Sequence, residues 1–237
     1  MRALSDAELL ALWEVGASRH ALDRCVLLAA TARPEWPADE VADQPLGAIN
    51  TSLLEFRAAA FGTRIDVHTD CPQCGERLAF ALDVRALLAG VQGDEGARTL
   101  EAAGLQLRPL SLRDLAAVAA EEDVAVAART LLARCTLGGD ARRLDEVAMR
   151  AAEDALEAFD PQADLALAVH CPACGDDSLA QLDPAVLLWE EIAARARAVL
   201  EEIHQLAAAY GWQEHDILAL SRSRRSAYLA LVRGEAI

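Results

Sequence analysis

Lysine is absent from this chain: all 22 basic residues are arginine, set against 38 acidic ones, for a net charge of −16 over 237 residues. A surface so short of positive charge repels phosphate backbones, which argues against general nucleic-acid binding. Aromatic residues are scarce at 4%, whereas 54% of the chain is apolar and dominated by Ala and Leu, so any core must be built from aliphatic faces. No uninterrupted apolar run approaches the ~20 residues that span a bilayer. The opening Met1-Arg2-Ala3-Leu4 leads into a capped amphipathic helix and not into a secretion signal, so a cytoplasmic protein without a membrane partner is expected. Also missing are a phosphate-cradling Gly loop, a nucleophile elbow, an HExxH pair and a dinucleotide fingerprint. The expectation is a non-enzyme with no small-molecule substrate.

Against those absences stand six cysteines, four of them in two knuckles: Cys71-Pro72-Gln73-Cys74-Gly75 and Cys171-Pro172-Ala173-Cys174-Gly175. In this type of turn the Gly after the second Cys takes a left-handed backbone and nearby amides point at sulfur. Two thiolates do not close a tetrahedral site, but four do, and zinc is the usual occupant of four thiolates. The expected cofactor is one structural zinc per chain, held by Cys71, Cys74, Cys171 and Cys174. A redox dithiol is the competing reading; such pairs open a helix directly after a strand, whereas here a Gly and a polar turn follow each knuckle. The gap between knuckles is far wider than the ~15–20 residues of an ordinary zinc ribbon. Either a helical subdomain is inserted, or two chains share the metal. His68 and His170 lie beside the knuckles and are expected to stay outside the ligand set. Cys25 and Cys135 sit in apolar helical stretches and read as small core residues.

The match between knuckles extends to their flanks: Leu82-Asp83 and Leu87-Leu88 recur as Leu182-Asp183 and Leu187-Leu188, and Ile65 and Val67 correspond to Leu165 and Leu167. This predicts a mainly α fold with small β (α+β): two duplicated helical lobes joined by a split four-Cys ribbon, plus a C-terminal helical hairpin. Residues 1–96 would carry the first knuckle, 97–184 the second, and 185–237 the extension, with the Gly-rich stretch Gly90 to Gly96 as the boundary between halves. In the first half, Ser5-Asp6-Ala7-Glu8 is a capping box, Gly16 ends the helix, and Ser18 caps the next. Leu46, Ile49, Leu53, Phe56 and Ala60 form one helical stripe stopped by Gly62. Alternation then marks strands on either side of each knuckle. A further strand is predicted from Leu105 to Leu110, a second capping box at Ser111 to Asp114, and helices over Val124–Cys135 and Leu144–Phe159. A long helix from 185 to 210 carries Leu188, Ile192, Ala196, Val199, Ile203, Leu206 and Tyr210 on one face, with Gly211 as its C-cap. Short helices follow, the last capped by Ser221. Clustered Arg222, Arg224 and Arg225 invite a DNA-binding reading, which the seven acidic residues against six Arg beyond Ala185 oppose.

Two sets of blocks resemble a known family: Leu53-Leu54-Glu55-Phe56-Arg57 through Phe61-Gly62 with Cys71 to Glu76, and Glu202 to Ala207 followed by Tyr210-Gly211-Trp212, Asp216-Ile217-Leu218 and Arg225 to Leu229. Both are similar to baseplate proteins of phage-tail-like contractile injection systems, themselves similar to the baseplate hub-assembly proteins of T-even-type phages. The resemblance implies a non-catalytic assembly factor or minor structural component that binds other baseplate or spike-hub proteins, located in the cytoplasm or in the assembled particle. Trp189, Tyr210, Trp212 and Tyr228 are the expected aromatic anchors. The alternative is a zinc-ribbon adaptor for nucleic acid or a transcription or translation complex, though Asp70, Glu76, Asp176 and Asp177 make the knuckle neighbourhood acidic.

Overall fold

The computed structural model describes residues 4–89 and 99–235. The expected boundary at Gly90 to Gly96 lies outside the described residues. The chain is mainly helical with small antiparallel sheets. Helices α1 (Asp6–Ala17), α2 (Ala21–Ala32) and α3 (Leu46–Phe61) lead into the hairpin β1 (Arg64–Asp70) and β2 (Arg77–Asp83), then α4 (Val84–Ala89). The second half opens with β3 (Leu100–Ala102) and β4 (Leu105–Leu107), then α5 (Leu112–Val118), α6 (Val124–Cys135), β5 (Thr136–Gly138) and α7 (Glu146–Phe159). A second hairpin, β6 (Leu165–His170) and β7 (Asp177–Leu182), runs into the 27-residue α8 (Pro184–Tyr210), followed by α9 (Glu214–Ala219) and α10 (Arg222–Arg233).

Helix α8 is the axis. Its predicted stripe is buried from Leu188 through Ile192, Ala196, Val199 and Ile203 to Leu206, but Tyr210, expected at its end, is exposed; α1, α2, α3, α9 and α10 pack around the helix. The largest core takes residues from Leu9 to Leu229, so all three expected segments contribute to it. Asp183 caps the helix, its Oδ1 accepting from the amides of Ala185 and Val186 at 2.8 and 3.1 Å, and Gly211 ends it in the left-handed region at φ 69°. Arg57, at the last turns of α3, ties the first hairpin to this axis. Its guanidinium donates to both carboxylate oxygens of Glu191 at 2.9 and 2.6 Å and to the carbonyls of Gly62 and Arg64 at 2.6 Å each.

Several local expectations need correction. Gly16 does not end α1, which continues to Ala17; this Gly is buried in the last turn because the Trp189 ring occupies the space a Cβ would need. His20, not Ser18, caps α2, its Nδ1 accepting from the Leu22 amide at 3.3 Å. The strand expected over Leu105 to Leu110 is only Leu105–Leu107, since Pro109 cannot donate to a ladder and Ser111 already begins the cap of α5. That strand is the centre of a three-stranded sheet, β3-β4-β5, in addition to the two hairpins expected. Its apolar face, Leu105 and Leu107, packs with Leu132 of α6 and Ala152 of α7 in a small separate core. Helix α7 begins at Glu146 rather than Leu144 because Asp145 is its N-cap, accepting from the Ala148 amide at 2.8 Å.

The cap of α3 comes from far away in the chain. Pro45 offers no side-chain acceptor, and the Gly47 amide instead donates to Asp160 Oδ2 at 3.0 Å, while Asn50 donates to the carbonyls of Gln162 and Ala163. A side chain at Gly47 would collide with the Asp160 carboxylate, so this close approach requires glycine.

Two buried carboxylates, Asp6 and Asp114, each hold more than one arginine. Asp6 meets Arg225, Arg195 and Arg222, and Glu202 meets Arg225 and Arg195, which fastens α1 and α10 to α8. The arginines that invited a DNA-binding reading are thus partly consumed: Arg225 is 1% exposed, and Arg222 is paired with Asp6. Asp114 completes the predicted second capping box with Ser111 and binds Arg108 and Arg134. Burial alone would raise both carboxyls. The bonds from Arg225, Arg195 and Arg222 outweigh it at Asp6, and those from Arg108 and Ser111 at Asp114, bringing each to about 2. A carboxyl depressed in the folded state contributes stability above its unfolded value of about 3.9 and loses it as pH falls through about 2. With both groups almost fully buried, each contributes about 2 kcal/mol at neutral pH. Urea unfolding followed by circular dichroism should therefore give stability that declines steeply between about pH 4 and 2. Stability unchanged over that window would contradict the assignment.

Candidate metal centre

Each hairpin carries a knuckle at its tip, and the two are built alike. In the first, Asp70 pairs with Arg77 and Ile65 with Leu82; in the second, His170 pairs with Asp177 and Leu165 with Leu182, the same register one hundred residues on. The Cys71 amide donates to the Glu76 carbonyl at 2.8 Å and the Cys171 amide to the Asp176 carbonyl at 2.9 Å; Gly75 and Gly175 each close the turn onto the first cysteine's carbonyl at 2.9 Å. Both glycines are left-handed, with φ of 74° and 77°, and a Cβ at either would meet nothing, so conformation rather than space demands glycine. At the far end, Asp83 and Asp183 cap the helix that follows each hairpin.

Alternation in the strands decides how the hairpins meet. Ile65 and Leu82 face Leu165 and Leu182, with Leu54 and Val84 beside them; nearer the tips Leu78 packs with Val169, Cys71 and Cys171. This sandwich brings the knuckles together, so one chain supplies all four sulfurs. The Sγ atoms of Cys71, Cys74, Cys171 and Cys174 lie within 4.8 Å of one another. Two contacts cross between knuckles: Cys71 to Cys174 and Cys74 to Cys171, each 3.7 Å. A tetrahedral ion with metal–sulfur bonds of ~2.3 Å has sulfur–sulfur edges of about 3.8 Å. The residues present fit a four-thiolate metal site.

Electrostatics point the same way. Amides of Cys174 and Ala173 bring the Cys171 thiol down to about 7. The Asp176 amide favours a thiolate at Cys174 too, but lost hydration and the three neighbouring sulfurs overcome it and push that thiol up to about 12. At Cys74 the Glu76 amide is likewise outweighed and the thiol is raised. One thiolate forms readily and the next are opposed by like charge, a conflict that a cation in the middle removes. Four such ligands leave no open position, so the arrangement is suited to crosslinking rather than to activating water.

Among the described residues only these four form such a cluster. His68 and His170 are outside it: both are exposed, and His170 Nδ1 is 2.8 Å from Asp177 Oδ1. Cys25 and Cys135 are buried elsewhere, and burial pushes their thiols up to about 12 and 11. Each knuckle sits between two strands and neither opens a helix, unlike a redox dithiol. Asp70, Glu76 and Asp177 are exposed around the tip and Asp176 is half-buried.

The aromatic residues divide. Tyr210, Trp212 and Tyr228 form one cluster, with ring centroids 4.8 to 5.8 Å apart, at the far end of α8. Trp189 lies apart, packed on Gly16 with the Arg24 guanidinium 5.1 Å over its ring. It borders a cleft of about 520 Å³ between α2, α3, α5 and the start of α8, which sequence reasoning missed because its walls come from five separate segments.

Fold and site together define a mainly helical α+β protein whose two hairpins present a four-cysteine cluster that could hold a metal ion. No protein-family model, curated protein or solved structure matches the chain. No helix among the described residues is long and apolar enough to cross a membrane.

Proposed function

We propose that the four cysteines hold one structural zinc ion and that the protein is a non-catalytic assembly factor or minor structural component of the baseplate of a phage-tail-like contractile injection system. It acts by binding other baseplate or spike-hub proteins, in the cytoplasm and in the assembling particle. The observation that carries this reading is the closing block, Tyr210-Gly211-Trp212 with Tyr228. Those residues resemble the baseplate family in sequence, and they stack into one partly exposed aromatic cluster, with Tyr210 39% exposed and Leu231 53% exposed on the same C-terminal helices. Aromatic side chains of this kind are the usual anchors of protein interfaces. The net charge of −16 steers the protein toward basic protein surfaces. Zinc is supported by the all-sulfur, tetrahedral-sized ligand set.

Deleting the gene should leave sheath and tube proteins expressed but few complete particles visible by electron microscopy. Normal numbers of contractile particles from the deletion strain would overturn the assembly role. Salt-sensitive, sequence-specific DNA binding by the purified protein would favour a zinc-ribbon adaptor instead.

A further inference from the structure

Each 3.7 Å sulfur contact joins an exposed cysteine to a buried one: Cys74 with Cys171, and Cys174 with Cys71. Both contacts also run from one hairpin to the other. An exposed sulfur held beside a second sulfur is the arrangement in which an oxidised cysteine is captured as a disulfide before it oxidises further. We propose that the cluster is a peroxide-modified site that exchanges its metal clamp for two disulfides, Cys74–Cys171 and Cys174–Cys71, which keep the hairpins joined. The metal half of this inference rests on the zinc reading above; the connectivity does not.

The chemistry balances. A Cys74 thiolate attacks one peroxide oxygen, the O–O bond breaks, and with one proton taken up water leaves, giving a sulfenic acid at Cys74. The Cys171 thiolate then attacks that sulfur, the S–O bond breaks, and a second water leaves with another proton. Cys174 and Cys71 repeat the sequence with a second peroxide. Four thiolates are oxidised to two disulfides, two peroxides are reduced, four protons are consumed, and one zinc ion and four waters are released. The other two cysteines stay out: Cys25 is 6% and Cys135 0% exposed, and no sulfur contact joins them to the cluster.

Crossing is a property of the fold. In an unfolded chain the short loop between the two cysteines of one knuckle closes far more readily than a loop of about a hundred residues, so closure within knuckles is favoured. The folded hairpins offset that preference by holding the sulfurs of different knuckles 3.7 Å apart, with the loop between them already closed by the fold.

Trypsin separates the outcomes cleanly. Cutting after arginine, it leaves Cys71 and Cys74 together on residues 65–77 and Cys171 and Cys174 together on residues 151–195. Full-length protein is treated with hydrogen peroxide, alkylated, digested without reductant and analysed by mass spectrometry, with a urea-denatured sample alongside. Most of the native material should show the two peptides joined by two disulfides, with fragmentation placing Cys74 on Cys171, and the denatured sample should show two separate, internally closed peptides. If metal is bound, one zinc should be released per two peroxides, and the oxidised protein should keep its thermal transition in a chelator that lowers it for the reduced protein. Separate closed peptides from native protein, or sulfinic and sulfonic products without joining, would overturn the proposal. Joined peptides from protein that carries no metal would leave the connectivity standing and remove the zinc reading alone.

Discussion

Cys174→Ser should abolish stoichiometric metal binding and loosen both hairpins together, although the substitution touches only the second. The ion would join two elements one hundred residues apart in sequence. Because the site is absent from the unfolded chain, metal affinity acts as folding free energy; in small zinc domains this amounts to roughly 10–16 kcal/mol of apparent binding. The helical core around α8 is packed independently of the tip, so the loss is expected to be local. Amide exchange in β1, β2, β6 and β7 should accelerate on the order of 10³-fold, equivalent to about 4 kcal/mol, while the middle of α8 keeps its protection. Elemental analysis of protein purified without chelator gives the companion measurement. Either no metal or two ions per chain would reject the arrangement, as would accelerated exchange in one hairpin only.

The second large effect is expected at Arg225→Ala, far from the metal. Arg225 is the centre of the network between α1, α8 and α10, bonded to Asp6 and to Glu202, the latter at 2.6 Å. Removing it leaves two carboxylates in a buried site with less positive charge to hold them, and truncating one partner of such a group costs about 3–5 kcal/mol. Arg195 and Arg222 still reach Asp6, which sets the expectation near the lower figure. Chemical denaturation should show the midpoint displaced with an unchanged slope. Arg224→Ala is the control: that residue is exposed, and its side chain makes no ion pair among the described residues, so its cost should be within about 0.5 kcal/mol. Equal effects at the two positions would show that the network contributes nothing beyond surface charge.

The features legible in the sequence are those whose cause is local. The stripe of α8 up to Leu206, the caps at Ser5, Ser111 and Ser221, and the alternation around each knuckle all depend on residues within a few positions of one another. The four cysteines could be grouped because spacing within each knuckle and repetition between them agreed. What was missed is non-local. Only β4 of the β3-β4-β5 sheet was anticipated: strands of three residues are too short to show alternation, and β5 pairs with β4 from nearly thirty residues away. Asp160 caps α3 across 113 residues of sequence, and a local reading of Pro45 offers no hint of it. The arginines of α10 look like a basic surface until α1 supplies Asp6 beneath them.

The join between β7 and α8 has a mechanical consequence. Strand β7 ends at Leu182 and the helix begins at Pro184, with Asp183 bonded to the first helical amides, so the join has almost no slack. A helix of 27 residues is a rod about 40 Å long. Turned about its N-terminal end by about 5°, such a rod would carry its other end roughly 3.5 Å sideways, more than half a helical turn's rise. Tyr210 is the last residue of that rod, and Trp212 and Tyr228 stack on it. The pose of the aromatic cluster is therefore set by the direction in which α8 leaves the second hairpin, a direction that the helices packed along α8 hold fixed.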